Sequence, residues 1–296
     1  MNDQSHRGLR SQSLLERAAA RWQMAPAPEV PVEPAAEVAP APKKPMAAAR
    51  IRPVDPARID RDALAEGGML VPGGPVTALA EEFRLVKRQL LATGADIAKR
   101  DEDAARMILL CSAQPGDGKT FCAINLALSL AAERDLNVLL VDADFNKPDI
   151  LGRLGLEAER GLLDALGDAS IDPETLVIAT DVPQLSILPA GTRTNADTEL
   201  LRSDRARAVL DALLAADPDR ILLFDSPPAL AASSAAVLAT LVGQTVLVVR
   251  ADRSSEADLR EAVALLDGCA EIQLLLNATT YRAEGPRFGY YGQEQD

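Results

Sequence analysis

The stretch Ile108-Leu109-Leu110-Cys111-Ser112-Ala113-Gln114-Pro115-Gly116-Asp117-Gly118-Lys119-Thr120 decides the fold. Its first residues are a continuous apolar run, as expected for a strand buried on both faces. A glycine-rich turn follows, and from Lys119 the sequence reads as a helix. The turn matches G-x-x-x-x-G-K-[ST], with Ala113 in place of the first glycine. Gly116 and Gly118 let the backbone curl so that successive N–H groups point at phosphate oxygens, at the positive end of the new helix. In that chemistry Lys119 reaches the β- and γ-phosphates of ATP and the Thr120 hydroxyl ligates Mg2+. The nucleotide-contacting stretch is expected to comprise Gln114, Pro115, Gly116, Asp117, Gly118, Lys119, Thr120 and Phe121.

Two more apolar runs end in carboxylates. Leu139-Leu140-Val141-Asp142-Ala143-Asp144 and Ile221-Leu222-Leu223-Phe224-Asp225-Ser226-Pro227-Pro228 both read as buried strands. The second is similar to a Walker B strand. Parallel sheets bind ligands at the carboxyl ends of their strands, so Asp142, Asp144 and Asp225 should converge on Lys119.

Outward from this centre, strand-like and helical patterns alternate. A helical period is expected over Thr77–Leu91, then strands at Met107–Cys111, Val138–Val141, Leu185–Leu188, Ile221–Phe224, Thr245–Val249 and Ile272–Leu276. Helices are expected from Lys119, through Ala206–Ala215, near Ser233–Leu241 and over Glu256–Leu266. The expected fold is α/β: a P-loop NTPase whose central, mostly parallel sheet is flanked by helices, preceded by a disordered arm. The boundaries read as an arm over residues 1–75, a P-loop domain over 76–280 and a flexible tail over 281–296.

The arm follows from composition. Residues 26–45 carry seven prolines among Ala, Glu and Val, a composition that favours extended polyproline conformations and buries no core. Proline and glycine recur up to about Pro75. Before the linker, Ser11–Trp22 is a short helix candidate, with Ser13 and Glu16 spaced as a capping box and Leu14, Leu15, Ala18 and Trp22 sharing a face.

Charge and residue usage exclude several classes. The formal net charge of −13 argues against binding nucleic acid or anionic lipid, both of which need basic patches. Cys111, Cys122 and Cys269 show neither CxxC spacing nor the count of a disulfide framework, so a reducing cytosol is expected. The single histidine, His6, rules out a His-based zinc site and a Ser-His-Asp triad. No run reaches the ~20 apolar residues of a membrane span, and Met1–Arg10 does not read as a signal peptide.

All three tyrosines, Tyr281, Tyr290 and Tyr291, fall in the last sixteen residues. A core without tyrosine and a tail holding all of it suggest phosphoacceptors. From Asn277 to Tyr290 the 13 residues reach at most about 45 Å when extended.

With these motifs in view, the chain resembles the bacterial tyrosine autokinases of exopolysaccharide synthesis. The likeness rests on Pro115-Gly116-Asp117-Gly118-Lys119-Thr120, on Val141-Asp142-Ala143-Asp144 and on Asp225-Ser226-Pro227-Pro228. It extends to Leu188-Pro189-Ala190-Gly191, Thr198-Glu199-Leu200-Leu201 and Glu81-x-x-Arg84-x-x-Lys87, the last similar to the family's oligomerisation helix with Lys87 in place of an arginine. The N-terminal segment, the linker and the Phe288-Gly289-Tyr290-Tyr291-Gly292 tail look most like the subfamily of exosortase (XrtA)/PEP-CTERM loci. The resemblance implies an ATP-dependent protein-tyrosine autokinase that regulates polysaccharide polymerisation or export. Thr120, Asp142 and Asp225 would organise Mg2+, and either Asp142 or Asp144 would accept the tyrosine proton. Tyr281, Tyr290 and Tyr291 would be phosphorylated in trans within a homo-oligomer joined through Glu81, Arg84 and Lys87. It further implies a membrane co-polymerase protein as activator, a protein-tyrosine phosphatase as partner, and a cytoplasmic protein recruited to the inner face of the plasma membrane. The alternative is a ParA/MinD-type ATPase or a nucleotide-switched scaffold, although Gln114 stands where those ATPases carry a lysine.

Overall fold

The computed structural model describes residues 55–279. Over these residues the order is α1 (Arg61–Glu66), α2 (Ala78–Ala98), α3 (Glu102–Ala105), β1 (Met107–Ser112), α4 (Lys119–Ala131), β2 (Asn137–Asp142), α5 (Ile150–Leu154) and α6 (Leu162–Gly167). A 3-10 turn (Pro173–Leu176) leads to β3 (Ile178–Ala179) and β4 (Leu185–Leu188), then α7 (Asp197–Leu201), α8 (Asp204–Ala215), β5 (Arg220–Asp225), α9 (Ser233–Ala239), β6 (Gln244–Arg250), α10 (Glu256–Leu265) and β7 (Glu271–Asn277).

The strands form one seven-stranded sheet in the order β3-β4-β2-β5-β1-β6-β7. Every pairing is parallel except that of β3 with β4. Strand alternation builds the core on both faces at once. Leu109, Leu139, Leu222 and Leu247 point into the layer covered by α6 to α10. Ile108, Leu140, Leu223 and Val246 point into the layer covered by α1, α2, α4 and α5. β1 and β5 are buried along their whole length, which is why Met107–Cys111 and Ile221–Phe224 are unbroken apolar runs.

Caps fix where the helices begin. Thr77 accepts the Ala80 N–H at 3.2 Å at the start of α2, Ser203 accepts that of Ala206 at 3.2 Å, and Ser255 accepts that of Asp258 at 3.1 Å. α2 continues to Ala98, beyond the expected end near Leu91, because Leu90 and Ile97, two turns apart, are both buried. Gly94 interrupts the pattern, yet its missing side chain suits the approach of the Ala105 carbonyl, 3.4 Å from where a Cβ would lie.

One boundary needs correction. Residues 55–75, expected to continue the linker, are built into the domain. Asp60 caps α1 by accepting the Asp62 and Ala63 N–H groups at 3.0 Å. Ile59, Leu64 and Met69 are buried in the α4 layer. Ala57 bridges to Thr180 beside β3, Arg61 pairs with Asp181 at 2.8 Å, and the Leu70 N–H donates to Asn125 Oδ1 at 2.7 Å. Proline and glycine set the tone of this segment, while its three apolar anchors follow no helical or strand period. The Ser11–Trp22 helix, the proline-rich linker and Tyr281, Tyr290 and Tyr291 lie outside the described residues. Among the described residues no helix is long and apolar enough to cross a membrane.

Candidate nucleotide site

The loop after β1 turns directly into α4, and its two glycines carry the turn. Gly116 (φ +83°) and Gly118 (φ +96°) both sit in the left-handed region, which L side chains enter only with strain. Gly118 is also a steric requirement, since a Cβ there would lie 2.2 Å from Asn277 Nδ2. α4 begins at Lys119 with no side-chain cap, so its first N–H groups stay open toward the loop.

β1, β5 and β2 lie side by side in the sheet, and their carboxyl ends bring the charged residues together. Lys119 Nζ donates to Asp144 Oδ2 at 2.6 Å and lies 4.0 Å from Asp225 Oδ1 and 3.5 Å from Thr120 Oγ1. Asp142 is held by the turn that follows it: its Oδ2 accepts the Asp149 and Ile150 N–H groups at 3.2 Å, and its Oδ1 accepts that of Asp144 at 3.3 Å. Lys119, Thr120, Asp142, Asp144 and Asp225, singled out from sequence, thus share one site.

This site is electrostatically strained. Burial, reinforced by the charge of Asp225, pushes the Asp142 carboxyl up to about 7. Burial likewise pushes Asp225 up to about 6, against the downward pull of Lys119 and the Thr120 hydroxyl. For Lys119, burial favours the neutral amine, but Asp225 and Asp144 outweigh it and hold the ammonium above its ordinary value. The neighbouring thiols are inert, with burial pushing Cys111 up to about 11 and Cys122 up to about 12.

The residues present fit a cation held together with a phosphate. Asp225 Oδ1 is buried and accepts no hydrogen bond, leaving a free lone pair beside Thr120. Among the described residues no group of three or more His, Cys, Asp or Glu side chains is arranged as a metal cage. Mg2+ bound with a nucleotide needs only one or two carboxylates, because phosphates and water complete its shell.

The other expected residues are placed as follows. The Gln114 N–H donates to Asp117 Oδ2 at 3.1 Å, which folds the loop on itself. The Phe121 side chain packs against the α4-face core, and its carbonyl accepts from Asn125 Nδ2 at 2.7 Å. Glu81 and Arg84 pair with each other on the surface of α2. Lys87 does not line up with them. It is buried, donates to the Ser129 carbonyl at 3.0 Å and pairs with Glu133 at 2.6 Å. Within the single chain its ammonium is engaged by these two partners, whereas Glu81 and Arg84 lie on the surface.

Sequence reasoning missed a second set of residues around the loop. Arg250 at the end of β6, Arg253 in the turn after it, Asp258 on α10 and Asn277 at the end of β7 all hydrogen-bond to the phosphate loop. They lie about 130 to 160 residues from it in sequence, and no local motif marks them. The one signal was positional: Arg250 and Asn277 end strands on the same side of the sheet as the loop.

A strand–loop–helix phosphate cradle, with carboxylates at the ends of neighbouring parallel strands, defines a P-loop nucleotide-binding domain. A family model described as an AAA domain matches residues 105–267, more than half of the chain, and the chain belongs to that family. Over 209 residues it is 34% identical to EpsB of Ralstonia nicotianae, provisionally named a tyrosine-protein kinase, covering 68% of this chain and 27% of EpsB. It is 27% identical over 242 residues to the tyrosine-protein kinase YwqD of Bacillus subtilis, covering 81% of this chain and 97% of YwqD. The kinase domain of the Escherichia coli tyrosine kinase ETK superposes with a TM-score of 0.55 at 25% identity, covering 64% of this chain and 76% of that domain. The chain spans about a quarter of the length of the first curated relatives it matches.

Proposed function

We propose that the chain is an ATP-dependent protein-tyrosine kinase that phosphorylates its own C-terminal tyrosines. The observation that carries this reading is the convergence of Lys119, Thr120, Asp142, Asp144 and Asp225 at one end of the sheet. The likeness to proteins named tyrosine-protein kinases supports it.

The loop N–H groups would bind the phosphates common to ATP and ADP, and Lys119 would orient the γ-phosphoryl group. Thr120 Oγ1 and Asp225 would hold Mg2+, with Asp142 beside them. Bound Mg2+ would neutralise charge on the β- and γ-phosphates. A tyrosine hydroxyl, with an ordinary pKa near 10, needs strong positioning or a base. Either Asp142 or Asp144 would take its proton. In the transfer the tyrosine oxygen bonds to the γ-phosphorus, the bond to the β–γ bridging oxygen breaks, and ADP leaves.

Tyr281, Tyr290 and Tyr291 are the proposed acceptors, modified by a neighbouring subunit of a homo-oligomer. Each phosphate adds about −1.5 to −2 charge to an already acidic chain, and repulsion between tails would loosen the assembly. The wider role is regulation of exopolysaccharide polymerisation or export in the manner of the exosortase-associated subfamily. In that role a membrane co-polymerase protein recruits and activates the kinase at the inner face of the plasma membrane, and a protein-tyrosine phosphatase resets it.

The test is mass spectrometry of the purified chain after incubation with ATP and Mg2+, beside Asp225→Asn. The wild type should gain phosphate confined to the C-terminal peptide and the variant none. A wild type that binds ATP yet takes no phosphate would instead identify a nucleotide-switched scaffold.

A further inference from the structure

The connection from β6 through α10 to β7 holds the phosphate loop from behind. Three consecutive loop carbonyls accept hydrogen bonds from its side chains. Pro115 O accepts from Arg253 Nη2 at 3.4 Å, Gly116 O from Arg250 Nη1 at 2.9 Å and Asp117 O from Asn277 Nδ2 at 2.9 Å. The Gln114 side-chain amide is tied to the same connection through Asp258 Oδ1 at 3.4 Å.

These donors are themselves positioned. The Ser254 hydroxyl accepts the Arg250 N–H at 2.9 Å, and the Asn277 carbonyl accepts the Ala251 N–H at 2.9 Å. The fit against the loop is close: Arg253 Nη1 lies 3.1 Å from where a Gly116 Cβ would be, and Asn277 Nδ2 lies 2.2 Å from that of Gly118.

A trans peptide is planar, so its carbonyl and the next residue's N–H point in opposite directions. Fixing the carbonyls of Pro115, Gly116 and Asp117 outward turns the N–H groups of Gly116, Asp117 and Gly118 to the inner side of the loop. A guanidinium on a carbonyl oxygen also polarises that peptide and makes its N–H a stronger donor. A loop already set in this way spends less binding energy on ordering itself around an anion.

We propose that Arg250, Arg253 and Asn277 are positioning residues for nucleotide binding, acting through the peptide groups of the phosphate loop. The inference rests on the loop's nucleotide-binding reading and is independent of tyrosine phosphorylation. Because they orient N–H groups rather than touch a terminal phosphate, ADP and ATP should depend on them alike.

The test uses the full chain with Mg2+ and fluorescent mant-ADP and mant-ATP, titrated against the wild type, Arg250→Ala, Arg250→Lys, Arg253→Ala and Asn277→Ala. Melting temperatures without nucleotide are recorded in parallel. Arg250→Ala should weaken both nucleotides by the same factor, about fivefold or more for loss of a charge-assisted hydrogen bond. Asn277→Ala, which loses a neutral hydrogen bond, and Arg253→Ala, with its longer bond, should weaken both nucleotides equally but by less. Arg250→Lys should recover part of the affinity, and the unliganded melting temperatures should match the wild type. Weakening of ATP alone would mean direct contact with the terminal phosphate and would overturn the proposal. Unchanged affinity for both nucleotides, or a loss that merely follows a lower unliganded melting temperature, would overturn it too. A wild type that fails to phosphorylate itself would refute the kinase reading and leave this measurement intact.

Discussion

Replacing Lys119 by Met should destabilise the nucleotide-free protein, and by an amount that depends on pH. The ammonium is the one cation within 4.0 Å of Asp144 and Asp225 among the described residues, and its side chain is only 12% exposed. Breaking a buried ion pair costs roughly 3–5 kcal/mol. Because the site opens toward the loop, the lower end, about 3 kcal/mol, applies here. In a domain of this size each kcal/mol moves the melting temperature by roughly 2–4 °C, so a fall of about 6–12 °C is expected at pH 8. Asp142 and Asp225 have folded pKa values of about 7 and about 6, above the ordinary 3.8. Protons on them therefore favour the folded state. That contribution is complete below the unfolded pKa and is lost as pH rises through the folded values. Without Lys119 the pull that holds Asp225 down is gone, so protonation persists to higher pH. At pH 5.5 Asp142 and Asp225 are largely protonated, so less unpaired charge is left behind and the variant should lose less than it loses at pH 8. Thermal unfolding followed by circular dichroism, in EDTA at both pH values, measures this. Equal deficits at the two pH values, or no deficit at pH 8, would refute the reasoning.

Asp225→Asn removes a buried charge from the same site and should melt a few degrees above the wild type in EDTA at pH 8; a lower melting temperature would mean that the carboxylate is well compensated. It is accordingly the cleaner variant for the phosphorylation test. Leu64→Ala should cost about 2–4 kcal/mol by leaving a cavity in the α4 layer, read from urea unfolding, and a cost near zero would return α1 to the linker. Mixing an Asp225→Asn chain with a separately tagged Tyr281/Tyr290/Tyr291→Phe chain and ATP should put phosphate on the Asp225→Asn partner; a blank result there would exclude transfer between subunits.

The centre of the fold was legible in the sequence because its constraints are local. A strand buried on both faces must be continuously apolar, and a loop that cradles phosphate must place glycines where φ is positive, as at Gly116 and Gly118. The carboxylates of Asp142, Asp144 and Asp225 were legible for the same reason, since each directly ends or follows such a strand. What escaped depends on contacts distant in sequence. Ile59, Leu64 and Met69 have no period of their own and become a core only against α4 and its neighbours. Lys87 reads as one more charge on a helix until α4 brings the Ser129 carbonyl and Glu133 to it. The two-residue β3 is too short to carry a pattern, and its antiparallel pairing is set by the turn that joins it to β4. Arg250, Arg253 and Asn277 meet the loop only once β6 and β7 are laid beside β1.

The phosphate site is built at the expense of stability, and that expense bears on how it works. Three carboxylates face one ammonium, two of them with pKa values raised by burial, so the arrangement is short of positive charge. Lys119 is held on Asp144 at 2.6 Å. To reach a phosphate it must give up that contact, which leaves Asp144 without its cation beside incoming negative charge, held only by the Lys147 N–H on its Oδ1 at 3.1 Å. Nucleotide alone would deepen the deficit, whereas nucleotide with Mg2+ would relieve it at Asp225, whose buried Oδ1 has no hydrogen-bond donor. The same exchange would release the Asp144 carboxylate from Lys119. On the proposed kinase reading, Asp144 released in this way is one of the two carboxylates proposed as base.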